Sequence, residues 1–103
     1  MRRDCFQAIA DPTRRQIIDY LVLQPLTLNQ IAEKFPISRP AISKHVKVLE
    51  ESDVVRIEKL GRERICYIEL DTLREAAQWI NQYEKFWSQK MVDLEKFLKN
   101  SNK

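Results

Sequence analysis

The feature that most constrains this fold is a pair of short, separately capped helices between residues 27 and 51. Thr27 and Gln30 have the spacing of a capping box, which predicts the start of the first helix. Pro36 breaks that helix, and Ser38 has a hydroxyl that suits the N-cap of the second. Two short helices joined by a tight turn predict a helix-turn-helix over about 27–51.

The second helix, over 38–51, has an apolar stripe and a basic remainder. Ile42, Val46 and Leu49 follow one another at spacings of four and three, which places them on one side. Arg39, Lys44 and Lys47 lie elsewhere, and no acidic residue occurs from 38 to 47. This pattern suits a helix that enters the major groove of DNA, with cations directed at phosphates. The alternative is an ordinary amphipathic helix with a solvated basic face.

After residue 53 the spacing of apolar residues changes from the 3.6-residue period of a helix to the two-residue period of a strand. This change predicts a β-hairpin over about 54–70. The turn falls at Gly61, the only glycine in the chain. The tip contains Lys59, Arg62 and Arg64 against one acid, Glu63. A basic hairpin directly after such a helix is a wing, and we expect its tip to contact the DNA backbone or the minor groove.

Two helices are predicted before this region. The first, over 3–10, has Cys5, Phe6 and Ile9 on one side. The second, over about 12–23, begins after an Asp11 N-cap, and its arginines at 14 and 15 are interpreted as a solvated face.

The last predicted element is one long helix over about 72–98, with Thr72 and Glu75 as its capping box. Apolar residues recur along it at spacings of three and four, so one broad face is apolar. A winged-helix core is too small to cover that face, and a second copy of the chain is the simplest partner. The aromatic residues could instead line an apolar ligand pocket between subunits; they are Trp79, Tyr83, Phe86 and Trp87.

The whole-chain composition fits one domain over 1–103. The net charge of +3 and a pI near 9.0 permit an anionic partner. No long apolar run predicts a membrane span, and the two cysteines lie far apart, so a cytoplasmic location is expected. His45 is the only histidine, and we expect it to pack or to touch a phosphate. No nucleophile, carboxylate pair or phosphate loop is arranged for catalysis, so no enzyme activity is predicted.

Three segments together resemble the ArsR-type (ArsR/SmtB-like) family of bacterial winged helix-turn-helix repressors. They are AIADPTRRQIIDYL, LTLNQIAEKFPISRPAISKHVKVLEESDVV and GRERICYIEL. The resemblance implies a mainly α fold with one β-hairpin, about five helices plus the wing, dimeric through the first and last helices. It implies a homodimeric repressor that reads an inverted-repeat operator in double-stranded DNA.

The resemblance also assigns residues to each surface. The expected DNA contacts are Thr27, Ser38, Arg39, Pro40, Ser43, Lys44 and Lys47, with Lys59, Arg62 and Arg64 on the wing. The expected dimer interface contains Phe6, Ile9, Leu73, Ile80, Tyr83, Trp87, Met91 and Leu94.

The chain departs from the metal-sensing members of that family. In those members a pair of thiolates lies in the helix before the recognition helix, which here is the helix over 38–51. At the place of that pair this chain reads TLNQIA, and the last predicted helix contains no histidine. We therefore expect no metal and no cofactor, in a branch of the family without a metal site. Two alternatives stay open: a winged-helix module that binds another protein, and a repressor that senses thiol oxidation through Cys5 or Cys66. The effector and the operator are not predicted.

Overall fold

The computed structural model describes residues 4–101, which form six helices and three strands. In chain order they are α1 (Cys5–Ile9), α2 (Pro12–Leu23), β1 (Leu26–Thr27), α3 (Leu28–Ala32), α4 (Arg39–Glu51), β2 (Val55–Leu60), β3 (Glu63–Ile68), α5 (Leu70–Asn81) and α6 (Glu84–Ser101). The chain divides after Leu73 into two compact units. Within the described range, no helix is both long enough and apolar enough to cross a membrane.

The first unit has one apolar core to which α2, α3, α4 and the sheet all contribute. Its largest fully buried side chains are Ile17, Ile31, Ile42, Val46, Leu49, Val54, Val55 and Cys66. The apolar stripe predicted for the second helix of the helix-turn-helix, now α4, is buried as expected. Burial of this stripe fixes which side of α4 is turned away from the core.

The predicted helix starts in this unit are confirmed by their hydrogen bonds. Thr27 Oγ1 accepts from the Gln30 N–H at 3.1 Å, and Gln30 Oε1 accepts from the Thr27 N–H at 2.9 Å. Ser38 Oγ accepts from the Ala41 N–H at 3.2 Å, so α4 begins where the sequence indicated. These side chains satisfy N–H groups that would otherwise have no partner in the first turn of each helix.

The sheet contains one more strand than the sequence indicated, since strands had been predicted only in the hairpin. Three antiparallel strands lie in the order β1-β3-β2, and the two residues of β1 pair with Cys66 and Ile65 of β3. Two residues are too few to show the alternation of a strand, so the sequence pattern does not predict β1. The strand forms because it pairs with β3, which lies far along the chain. This pairing ties the start of α3 to the wing.

The chain leaves α4 through a left-handed residue, Asp53, whose φ is 59°. The Val54 N–H bonds to Leu49 O at 2.9 Å, and the Asp53 N–H bonds to Glu50 O at 3.0 Å. This is the bond pattern of a Schellman motif, which satisfies the last carbonyls of the helix and turns the chain sharply. The wing therefore starts in a fixed direction relative to α4.

Arg14 corrects the interpretation of a solvated face on α2, because it is half-buried, whereas Arg15 is exposed as expected. Arg14 Nε donates to Ala8 O at 2.6 Å, and Arg15 Nη1 donates to Ile9 O at 3.0 Å and to Ala10 O at 2.9 Å. These carbonyls belong to the C-terminal end of α1, which has no basic residue in its own last turn. The two guanidinium groups cap α1 from the next helix, a role that the helical pattern does not reveal.

The single C-terminal helix predicted over 72–98 is replaced by α5 and α6, separated by residues 82–83. At the break the Tyr83 N–H bonds to Ile80 O at 3.0 Å, three residues back rather than four. The apolar spacing continues through the break, which is why periodicity did not predict it. The Thr72–Glu75 capping box is also wrong, because α5 begins at Leu70 and Thr72 lies inside its first turn.

Candidate nucleic-acid interface

The side of α4 away from the core presents the residues expected to contact DNA. Arg39, Pro40, Lys44 and Lys47 are exposed, and Ser43 is half-buried. Pro40 stands in the first turn, where a missing N–H costs nothing and the fixed φ suits the helix. The exposed side of this helix is therefore cationic from its first residue to its middle.

A cleft of about 140 Å³ lies where α3, α4 and the wing tip meet. It is lined by Thr27, Leu28, Asn29, Arg39, Ser43, Arg62, Glu63 and Arg64. Three guanidinium groups and one carboxylate line it, so the cleft is positively charged. Five of the residues expected to bind DNA thus come together, although they lie in three separate segments of the sequence.

The wing tip carries uncompensated positive charge across its two strands. In the hairpin register Lys59 lies directly opposite Arg64, and Leu60 lies opposite Glu63. Like charges placed opposite each other in a sheet repel, and an anion between or beside them would relieve that repulsion. The tip is thus better matched to a phosphate backbone than to water alone.

The base of the wing is electrostatically different from its tip. Arg56 forms ion pairs with Glu58 at 3.4 Å and with Glu69 at 3.3 Å. Its guanidinium carbon also lies 4.7 Å from the centre of the Tyr67 ring, within range of a cation–π contact. Arg56 therefore holds the base of the hairpin together.

The capping residues Thr27 and Ser38 both stand at helix starts next to this surface. Thr27 is half-buried and Ser38 is exposed. Each hydroxyl oxygen accepts from a backbone N–H, which leaves the hydroxyl hydrogen able to donate outward. Either residue can thus cap its helix and donate to a phosphate oxygen at the same time.

Ser38, Pro40, Lys44, Lys47 and Lys59 do not line the cleft. The structure therefore separates the expected contacts into a cleft group and a more open group. Sequence reasoning did not single out Asn29, which sits in the first turn of α3 and faces the cleft. Its only local signal is its position beside Thr27, since the β1–β3 pairing is what brings α3 to the wing.

Cys66 and Cys5 have different surroundings. Cys66 is fully buried, and burial, with a smaller contribution from the negative charge of Glu50, raises the pKa of its thiol to about 11. The reactive thiolate is therefore strongly disfavoured there. Cys5 is half-buried, and neither thiol forms a disulfide bond. Between residues 4 and 101, no group of three or more His, Cys, Asp or Glu side chains could hold a metal ion.

The residues expected at a dimer interface fall into two groups. Ile9 and Leu73 are half-buried against the core of their own unit. The others are exposed: Phe6, Ile80, Tyr83, Trp87, Met91 and Leu94. Trp87 and Met91 on α6 are 63% and 62% exposed, which is unusual for large apolar side chains.

Comparisons with known proteins agree with this architecture. Residues 9–58 match a family model described as a helix-turn-helix domain. The transcriptional repressor SdpR of Bacillus subtilis is 39% identical over 77 residues, which cover 73% of this chain and 83% of that protein. An HTH-type transcriptional regulator of Mycobacterium tuberculosis is 34% identical over 87 residues, covering 84% of this chain and 78% of that one.

A solved structure gives the same result in three dimensions. The crystal structure of an ArsR family transcriptional regulator superposes with a TM-score of 0.74 at 36% identity, covering 81% of this chain and 91% of that one. The helix order, the three-stranded sheet and the wing described above are thus those of a known winged-helix group. This chain belongs to the ArsR-type family of winged helix-turn-helix transcriptional repressors.

Proposed function

We propose that this protein is a homodimeric repressor that binds an inverted-repeat operator in double-stranded DNA. The α4 helix enters the major groove, and the wing tip contacts the flanking backbone or the minor groove. The observation that carries this proposal is the cationic cleft, where Arg39 and Ser43 of α4 meet Arg62 and Arg64 of the wing. A backbone strand that passes this point would contact both elements at once.

Each group of residues has a distinct part in this proposal. Base edges are read from the N-terminal half of α4, by Arg39, Ser43 and Lys44, while Lys47 and the wing cations neutralise phosphates. Thr27 and Ser38 add hydroxyl donors to phosphate oxygens. The exposed apolar residues of α5 and α6, with Phe6 of α1, form the interface between the two protomers.

We further propose that the protein works without catalysis and without a cofactor. It acts in the cytoplasm, where a bacterial operator is found, and it has no catalytic activity. It represses without a bound metal or other cofactor. Control through oxidation of Cys66 is disfavoured because its thiol is buried and its pKa is raised. A protein-binding module is disfavoured because the exposed side of α4 is cationic rather than apolar.

The test uses single substitutions on the reading face and a matched lysine elsewhere. Arg39→Ala and Lys44→Ala should each weaken binding to the DNA upstream of the protein's own gene by about tenfold, since each removes one charged contact. Lys90→Ala on α6 removes the same charge far from α4 in sequence and should leave affinity unchanged. Normal binding by both reading-face variants, with folded protein, would show that α4 does not read the DNA.

A further inference from the structure

The side chain of Arg14 connects three helices of the first unit. Its Nε donates to Ala8 O at 2.6 Å and its Nη2 to Gln7 O at 3.3 Å, both at the C-terminal end of α1. Its Nη1 lies 3.3 Å from Nδ1 of His45, in the middle of α4. Arg14 itself belongs to the first turn of α2. One guanidinium group thus joins the corner between α1 and α2 to the recognition helix.

The contact with Arg14 indicates which nitrogen of the His45 ring carries the proton. A guanidinium group is always charged and only donates hydrogen bonds, so Nδ1 of His45 must accept. The imidazole is then neutral, with its proton on Nε2. The carboxylate of Asp11 lies 3.9 Å from the same Nδ1 atom, and this side chain also caps α2 by accepting from the Arg14 N–H at 3.0 Å. The ring nitrogen therefore stands between a cation and an anion.

His45 lies on the back of α4 as seen from the proposed DNA surface. At 100° per residue it is roughly 160° around the helix from both Ser43 and Lys47. Its side chain is 24% exposed, and that of Asp11 is 31% exposed. A residue in that position does not reach the DNA that the front of the helix contacts. It can influence binding only through the placement of α4.

We propose that His45 and Arg14 are positioning residues for DNA binding, which hold the recognition helix against the α1–α2 corner through the neutral imidazole. This inference rests on the proposed function. With the hydrogen bond in place, α4 is held in the orientation that puts Arg39 and Ser43 beside the wing. Without it, α4 loses its link through Arg14 to the α1–α2 corner, and DNA must fix its orientation at a cost in affinity.

The carboxylate of Asp11 is the second charged group in contact with the ring. Burial by itself would raise the pKa of Asp11, but hydrogen bonds from the Arg14 and Thr13 N–H groups and the positive charge of Arg14 hold it below its usual value. Asp11 therefore stays ionised beside Arg14.

Within residues 4–101, no other charged group contacts the ring. On α4 itself the positions three and four residues away are all apolar: Ala41, Ile42, Val48 and Leu49. The end of α1 contributes backbone carbonyls, which are already bonded to Arg14. The charged contacts of His45 are therefore those with Arg14 and Asp11.

The test compares two substitutions of His45 on the upstream DNA of the protein's own gene. His45→Asn keeps an acceptor oxygen close to the place of Nδ1, whereas His45→Leu keeps bulk and removes the acceptor. We expect His45→Leu to bind about tenfold more weakly at neutral pH and His45→Asn to bind nearly as the wild type does. Arg14→Lys should resemble His45→Leu, because the three acceptors contact three separate nitrogens of the guanidinium group, and the single nitrogen of a lysine cannot reach all of these places.

The salt dependence of binding distinguishes positioning from direct contact. A Lys44→Ala variant should lower the slope of log affinity against log salt by about one, whereas the His45 variants should leave it unchanged. Thermal unfolding of each variant confirms that folded protein is compared.

Each outcome decides a separate point. If the wild-type protein binds no upstream fragment, the proposed function fails. If the wild type binds and His45→Leu binds equally well, the positioning role is wrong. It is also wrong if His45→Asn is as weak as His45→Leu. Should His45→Leu not fold, the comparison of His45→Asn with Arg14→Lys still decides.

Discussion

At the scale of single residues, burial decides what chemistry a side chain can perform. Cys66 lies opposite Leu26 on one side and Ile57 on the other, in the middle of the three-stranded sheet. The thiol has no exposed surface there, and its pKa rises from 9.0 to about 11. A thiolate in this position would be an uncompensated charge in the core. Cys66 is therefore a small apolar core residue.

This burial leads to a test of thiol reactivity. In a Cys5→Ser variant, whose remaining thiol is Cys66, alkylation at neutral pH should be no faster than unfolding exposes the thiol. A Cys66→Val variant, which retains Cys5, serves as the comparison. Rapid alkylation of Cys66 in the native protein would contradict its placement and would restore the redox alternative.

The same shift predicts how stability depends on alkaline pH. Since the folded-state pKa is raised, the stabilising contribution is complete below about pH 9 and is lost as pH rises toward 11. The free energy of unfolding of the wild type should therefore decrease over that range relative to Cys66→Val. Parallel curves for the two proteins would show that Cys66 ionises equally in both states.

At the scale of elements, the wing depends on one turn. Leu60 and Glu63 pair across a two-residue loop, and Gly61 has a φ of 61°. Of the other described residues, Asp53 alone has a positive φ, so Arg62 does not. Glycine at the first loop position with positive φ fits a type II′ hairpin turn, whose twist matches that of the strands. The turn sets where Arg62 and Arg64 stand.

A substitution at Gly61 tests the turn. No atom lies within 4 Å of the place where a Cβ would be, so Gly61→Ala meets no clash and costs only backbone strain. We expect a loss of about 1–2 kcal/mol in the free energy of unfolding, measured with urea. Gly61→Asn should lose less, because asparagine tolerates this conformation better. Equal stability of Gly61→Ala and wild type would contradict the left-handed turn.

The sequence predicted those elements whose boundaries are set by neighbouring residues, and it missed features that depend on distant segments. The starts of α2, α3 and α4 follow from caps within three residues, and their predictions are confirmed. The strand β1 and the capping of α1 by Arg14 and Arg15 depend on segments that meet only after folding. The break at 82–83 was missed because the apolar residues keep their spacings of three and four through the turn. The cleft likewise unites segments that no local pattern connects.

At the scale of the whole molecule, the exposed apolar residues of α5 and α6 support the proposed homodimer. Trp79 and Tyr83 are in ring contact at 5.0 Å, and Phe86 and Trp87 at 5.4 Å, yet all four are exposed. Large aromatic side chains seldom stay in water in such number on one segment. A second protomer that covers them would also place two copies of α4 on one DNA molecule, as an inverted repeat requires.

Two substitutions that each introduce a lysine test this interface, and both add one positive charge. Trp87→Lys places a charge in the centre of the apolar face, and should convert the dimer to monomers at micromolar concentration, because a buried unpaired charge is strongly unfavourable. Gln89→Lys adds the same charge roughly 200° around α6 and should leave the dimer intact. Light scattering reports the mass of each. A fully folded Trp87→Lys dimer would refute the interface.

The most direct test of the central claim is binding of the wild-type protein to DNA upstream of its own gene across a series of salt concentrations. A dimeric repressor with a cationic α4 and wing should give a specific complex of two protomers per site. Its affinity should fall steeply as salt rises, because each neutralised phosphate releases counterions. A folded protein that shifts no upstream fragment, or binds with an affinity that salt does not change, would contradict the account.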